Sequence, residues 1–192
     1  TTYYYRSFAS NVSGAVWAPS TTNFMTAGGG GVTHYVSLSG SSIPQYTNLA
    51  TAATEIQQAL GAALNGDTVL VDAGTYFITN QVVVSGGITL AGIGGAGVTT
   101  IDGGSGVRCM FVNHPGAIVD GFTLTRGATF AFPDEGGGVL VSNGLVRRCV
   151  ITGNTSFDTG GGASCYSNGI LEDCLIVSNE THYAGGVYLA GG

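Results

Sequence analysis

Val146-Arg147-Arg148-Cys149-Val150-Ile151-Thr152-Gly153-Asn154 is a short apolar strand closing on a turn, and the chain writes it three times. An earlier copy, Val119-Asp120-Gly121-Phe122-Thr123-Leu124-Thr125-Arg126-Gly127, lies 27 residues before it. A later one, Leu171-Glu172-Asp173-Cys174-Leu175-Ile176-Val177-Ser178-Asn179, lies 25 residues after it. Each copy is followed by a second track: Gly137-Gly138-Val139-Leu140-Val141, Gly161-Gly162-Ala163-Ser164-Cys165 and Gly185-Gly186-Val187-Tyr188-Leu189. A repeat of this length implies a solenoid, in which each unit buries its apolar face only against its neighbours.

Alternate residues of a strand point to opposite faces. The copies therefore predict inward ladders of Phe122/Cys149/Cys174 and Leu124/Ile151/Ile176, with Val139/Ala163/Val187 and Val141/Cys165/Leu189 on a second face. Burying one aliphatic side chain contributes ~1.5–3 kcal/mol. A single rung does not offset its own ordering entropy, whereas a stack of rungs does. The paired glycines are expected to turn the backbone sharply into the next strand. Asn154 and Asn179 share one repeat position, with Gly127 in the third copy, and predict an asparagine ladder at a corner.

Glycine is abundant, at 34 of 192 residues, and only 8% of residues are charged. There is no Gly-X-Y period, and the 44% apolar content argues against disorder. The glycines are read instead as turns between short strands. All five basic residues are arginines, and the net charge of −6 argues against nucleic acid or an anionic membrane as partner. No apolar run reaches the ~18–20 residues of a membrane-spanning helix. The opening Thr1-Thr2 is what a mature secreted chain would show, and an excised fragment would show it too. Cys109, Cys149, Cys165 and Cys174 have no metal-binding spacing. They are read as small buried hydrophobes. A Cys149–Cys174 disulfide across neighbouring rungs is the alternative, feasible in distance but with parallel Cβ vectors.

Residues 1–31 differ from the rest, being rich in Tyr, Ser and Thr, carrying Trp17 and ending in four glycines. They predict an extended arm whose apolar side chains pack against something. Residues 32–39 read as a strand. Residues 47–64 read as the one helix, from the spacing of Leu49, Ala53, Ile56, Leu60 and Leu64, with Asn48 or Thr51 to cap it and Asn65-Gly66 to stop it. Short strands follow at 68–71, 82–84, 88–90, 98–101, 107–112 and 117–124. A helix just before the first coil is expected to cover the open end of the solenoid. The stretch from Thr33 to Phe77, with Gly66-Asp67-Thr68-Val69-Leu70-Val71 and Gly74-Thr75-Tyr76, resembles the amino-terminal cap and first coil of bacterial right-handed parallel β-helix proteins. The later copies resemble the F-x-x-N and G-G-A-[ILV] repeats of polymorphic outer membrane proteins and related surface adhesins, with Ile151 and Ile176 in place of the Phe. The resemblance covers residues 33–192. It implies an all-β solenoid, a right-handed single-stranded parallel β-helix with one N-terminal capping helix.

The motifs of polysaccharide lyases and polygalacturonase-like hydrolases are missing from the sequence. Asp134, Glu135 and Asp158, just before the glycine pairs, are the best acidic candidates for Ca²⁺ binding or a glycosidase pair. Their simpler reading is solubilising loop charge. Phe130, Phe132, Phe157 and Tyr183 fall near them. His34, His114 and His182 are scattered, with His114 placed in a turn by Pro115-Gly116. Of Arg147 and Arg148, at least one must face solvent. The run Gly92-Ile93-Gly94-Gly95-Ala96-Gly97 lacks the Lys-Ser/Thr of a phosphate loop and reads as turns. Asn11, Asn154 and Asn179 begin N-x-[ST] sequons. No catalytic, cofactor or metal site is assigned. Gly192 falls in mid-coil, which leaves a longer chain, a disordered remainder or a second subunit to cover the last rung. The sequence thus predicts a non-enzymatic extracellular structural or adhesive β-helix at the cell surface. Head-to-tail self-association into a filament, with an exchanged amino-terminal arm, is one form of it. The alternative is a polysaccharide-binding or polysaccharide-cleaving β-helix.

Overall fold

The computed structural model describes residues 2–5, 8–11, 14–17, 22–25, 31–132 and 134–190. The chain divides into two compact units, Thr1–Gly31 and Val32–Gly192. In the first, the strands are β1 (Thr2–Tyr5), β2 (Phe8–Asn11), β3 (Gly14–Trp17) and β4 (Thr22–Met25). They pair antiparallel, β1 with β4 and β2 with β3. The side chains of this unit, that of Asn11 included, lie outside the described residues.

The second unit is a parallel β-solenoid of about 5 turns. Its elements are β5 (Thr33–Val36), α1 (Ile56–Ala62), β6 (Thr68–Val71), β7 (Gly74–Phe77), β8 (Val82–Val84), β9 (Thr89–Gly92), β10 (Thr99–Asp102), β11 (Met110–Asp120), β12 (Thr123–Thr125), β13 (Val139–Arg147), β14 (Val150–Thr152), β15 (Ala163–Glu172), β16 (Leu175–Val177) and β17 (Val187–Ala190). A narrow sheet runs β7-β10-β12-β14-β16. A broad sheet runs β5-β6-β9-β11-β13-β15-β17, with β8 also paired to β11. The expected strands at 107–112 and 117–124 are in fact one long β11 followed by β12, with Gly121 at the corner between them.

The ladders align as the repeat predicts and continue back into coils where the sequence repeat has faded, but in the last coil Leu189 is exposed. In the narrow sheet the ladder is Tyr76, Ile101, Leu124, Ile151 and Ile176. In the broad sheet, Val82, Met110, Val139, Ala163 and Val187 align, as do Val84, Val112, Val141, Cys165 and Leu189. Phe122, Leu90, Ile101, Met110, Leu124 and Ile151 are the largest fully buried side chains. Phe122 stacks on the next coil, its backbone N–H lying 3.4 Å from Cys149 Sγ.

Each three-residue strand of the narrow sheet in the repeated coils is bracketed by left-handed residues. Gly121 (φ 74°), Arg148 (φ 50°) and Asp173 (φ 50°) lie two residues before it, and Arg126 (φ 51°), Gly153 (φ 64°) and Ser178 (φ 55°) immediately after it. The glycine pairs work differently from the sharp turn expected of them. The left-handed turn belongs to the preceding Gly136 and Gly160. The pairs instead allow coils to touch, since a Cβ on Gly137 would stand 2.2 Å from the Thr155 carbonyl oxygen, and one on Gly161 would stand 2.3 Å from that of Glu180.

The helix is shorter than its periodicity suggests, seven residues instead of the expected 47–64. Tertiary hydrogen bonds claim the segment before it. Ala53 pairs in parallel with Val36, donating to Tyr35 O and accepting from Ser37 N–H. Residues 41–43 donate to the carbonyls of residues 50–52. Asn48 does accept from Thr51 N–H at 3.0 Å, but within a turn. Leu49 and Leu64 are exposed, whereas Ile56, Ala59 and Leu60 form the buried face of α1.

Candidate functional site

The loops that link the narrow to the broad sheet stack on one another in the last three coils. Ala128 pairs in parallel with Thr155, and Thr155 with Glu180. Thr129 N–H donates to Thr155 O, and Ser156 N–H to Glu180 O. The asparagine ladder locks the base of this stack. Asn154 Oδ1 accepts from Gly127 N–H at 2.7 Å, and its Nδ2 donates to Leu124 O and to Asn179 Oδ1. Asn179 Oδ1 also accepts from Asn154 N–H, and its Nδ2 donates to Ile151 O.

Above that base the loops hold aromatic side chains out of the surface. Phe130 is 66% exposed, Phe132 75%, Phe157 49% and Tyr183 80%, which is far from the burial such side chains ordinarily reach. The His182 ring lies 6.4 Å from both the Phe157 and the Tyr183 rings, so the row is continuous between the last two coils. Exposed aromatics grouped on one side of a molecule mark a contact surface more than scattered ones do.

Arg108 braces this ridge from beneath. Its Nε and Nη2 donate to Glu135 O, Nε also to Gly136 O, and Nη1 to Gln81 Oε1. Burial lowers its pKa, while Asp134 and Glu135 oppose that shift. Of the three acidic candidates, Glu135 is engaged by Tyr166, whose hydroxyl donates to Oε2 at 3.0 Å. Burial and then Glu135 raise the Tyr166 pKa. Asp134 stands 3.9 Å from Arg108 with an exposed carboxylate. Asp158 contributes its backbone carbonyl, which accepts from Thr181 Oγ1 at 2.8 Å. Among the described residues no group of three His, Cys, Asp or Glu side chains is placed to hold a metal ion.

The other polar residues serve the coil. His34 is buried and bridges Gln45 O and Asp67 Oδ2. His114 is not in the turn expected of it but within β11, where the register with β13 shifts, and its Nδ1 accepts from Gly116 N–H at 3.0 Å. Arg147 and Arg148 both bind Asp120, and Arg126 binds Asp102. These carboxylates escaped the sequence reading, yet each lies about one repeat before its arginine, which is the signal that finds them. Gly92, Gly95, Gly121, Asp120 and Arg148 border a shallow concavity of about 470 Å³ at that corner. The run at 92–97 forms turns, as read.

All four cysteines are free thiols, three buried and Cys174 half-buried. Burial pushes Cys109 up to about 12. Cys149 and Cys174 interact across neighbouring coils. Their contact holds Cys174 below the ordinary thiol value and raises Cys149. Among the described residues no helix is long and apolar enough to cross a membrane. Compared with protein-family models, with curated proteins and with solved structures, the chain matches none.

Proposed function

We propose that the protein is a non-enzymatic extracellular β-helix of adhesive or structural role, which meets its target through the ridge of stacked loops. The observation that carries this reading is the row of exposed aromatics, Phe130, Phe132, Phe157 and Tyr183, on coils locked together by Asn154 and Asn179. A rigid scaffold presenting large amphipathic side chains gives contact area at low entropic cost. In this reading the coil is right-handed and α1 caps its first turn, supported by the buried face of α1. The kinship is with surface adhesins of the polymorphic outer membrane type, supported by the short repeats alone. Copies assemble head to tail, with the unit at 1–31 exchanged between neighbours. Negative-stain microscopy of the purified protein is expected to show filaments, and discrete monomers would remove that part of the reading.

The exposed carboxylate of Asp134 beside Phe132 favours a second reading, in which the target is a polysaccharide that is bound or cleaved. Binding to immobilised glycans and to whole cells, for the native chain and for the triple variant Phe132→Ser, Phe157→Ser, Tyr183→Ser, tests both. The expected result is binding that weakens at least tenfold in the variant, with no sugar released. Unchanged binding would move the contact away from the ridge. Release of reducing or unsaturated ends would make the protein an enzyme.

A further inference from the structure

The outer face of the narrow sheet, opposite its core ladder, carries two straight rows. One is Thr75, Thr100, Thr123, Val150 and Leu175, and the other is Phe77, Asp102, Thr125, Thr152 and Val177. Neither row is broken by a change of register, whereas the broad sheet shifts between Val112 and Ile118 and again between Val141 and Asn143. Backbone hydrogen bonding fixes the spacing along a row at ~4.8 Å, and two strand residues separate the rows by ~6.7 Å. The side chains are mostly β-branched and therefore stiff at χ1.

Threonine dominates the middle of both rows, while Phe77 opens the second with the Arg126 guanidinium 5.9 Å from its ring centre. Each threonine offers a methyl group and a hydroxyl side by side. Among the described residues the hydroxyls of Thr75, Thr100, Thr125 and Thr152 have no protein partner, while that of Thr123 donates to Ala96 O at 2.7 Å. The one acid on this face, Asp102, is closed off by Arg126, whose Nε lies 2.9 Å from both carboxylate oxygens. Beyond the Phe77–Asp102–Arg126 cluster the face is thus periodic in two directions and made of threonine and aliphatic side chains, and the ion pair leaves it uncharged in sum.

We propose that this face binds the surface of ice. A protein partner would be recognised by uneven knobs and pockets, and a small ligand by a concavity. Two flat rows of equal rungs match instead a partner that repeats. The spacing along a row is close to the repeat of hexagonal ice along its a axis, and the separation of the rows is close to its c-axis repeat. Hydroxyls held at those intervals order water into the lattice, and the methyl groups between them lose little by it. Binding adds over the rungs, each weak alone. The inference is independent of the aromatic ridge, which lies on the loops.

Thermal hysteresis and inhibition of ice recrystallisation, measured on the full chain, test it. The native protein is expected to show both. Thr152→Lys places an uncompensated charge in mid-row and is expected to reduce them at least tenfold. Ile170→Lys, on the outer face of the broad sheet, is expected to leave them unchanged. The double variant Thr125→Ser, Thr152→Ser removes only methyl groups, keeps the fold, and is expected to lose most of the activity. A folded native protein with neither activity overturns the proposal. Equal loss in Thr152→Lys and Ile170→Lys, at unchanged melting temperature, overturns the assignment to this face.

Discussion

Asn154 is 1% exposed, and its side chain and N–H bond to Gly127, Leu124 and Asn179, all on neighbouring coils. Its side chain replaces a piece of backbone pairing at a corner where the strands have stopped. Asn154→Ala leaves the Gly127 N–H and the Leu124 carbonyl buried and unpaired, at about 1–3 kcal/mol each. The variant is expected to lose about 2–4 kcal/mol in urea unfolding, against at most ~1 kcal/mol for Asn179→Ala, whose site is more open. This ladder was legible because asparagine recurs at one repeat position. The carboxylates that hold Arg126, Arg147 and Arg148 were not, because Asp102 and Asp120 pair with side chains one coil away and no local spacing announces them. The left-handed arginines were hidden for a related reason. Repeat geometry imposes φ near 50° on Arg148 at a position where Gly121 sits freely in the coil before, at a cost of ~1–2 kcal/mol.

At the scale of elements, Asp67 ties β5, α1 and β6 together. One oxygen accepts from Val32 N–H at 2.7 Å and the other from Leu64 N–H at 2.7 Å, with His34 Nε2 at 3.2 Å. These donors, Leu64 first, lower its pKa below the ordinary aspartate value, against the opposing effect of burial. A carboxylate depressed in the folded state stabilises the protein above its unfolded pKa, near 3.9, and that contribution is lost as pH falls through the folded value. Asp67→Asn is therefore expected to destabilise by about 1.5–3 kcal/mol at pH 7. The gap to the native chain closes as pH falls below about 4. Thermal melts of both proteins across that range check it, and a gap that stays constant would assign the loss to packing alone. The helix itself shows where periodicity misleads. Leu49 and Ala53 continue the apolar stripe of Ile56 and Leu60, but the backbone at 50–53 is already claimed by β5 and the 41–43 turn.

At the scale of the molecule, each coil contacts only its neighbours, so stability is a sum of rung terms and interfaces. Phe122 is the largest side chain in the buried stack and sits in the first of the three repeated coils, just before the third of the five narrow-sheet strands. Phe122→Ala is expected to cost about 3–5 kcal/mol. It is also expected to divide a single unfolding transition into two, with hydrogen exchange faster in β14–β17 than in β5–β9. A single transition at lower temperature would mean that the coils are coupled beyond nearest neighbours. The stacking of the last three coils was legible, since their register follows from the repeat and its alternation. The ridge was legible only as composition. Phe132 and Tyr183 occupy loops of unequal length, and nothing in their spacing says that the coils beneath bring them to one side.

The sequon at Asn154 has a consequence for how this chain is made. The folded solenoid hides that amide completely within the corner. A glycosylating secretory host would meet Asn154-Thr155-Ser156 only on the nascent chain, before coil closure. A sugar attached then would occupy the place of the Gly127 and Leu124 hydrogen bonds, and the coil could not shut. Host and order of events would decide whether the same polypeptide emerges with its solenoid closed or as a glycoprotein that never completes its fourth turn.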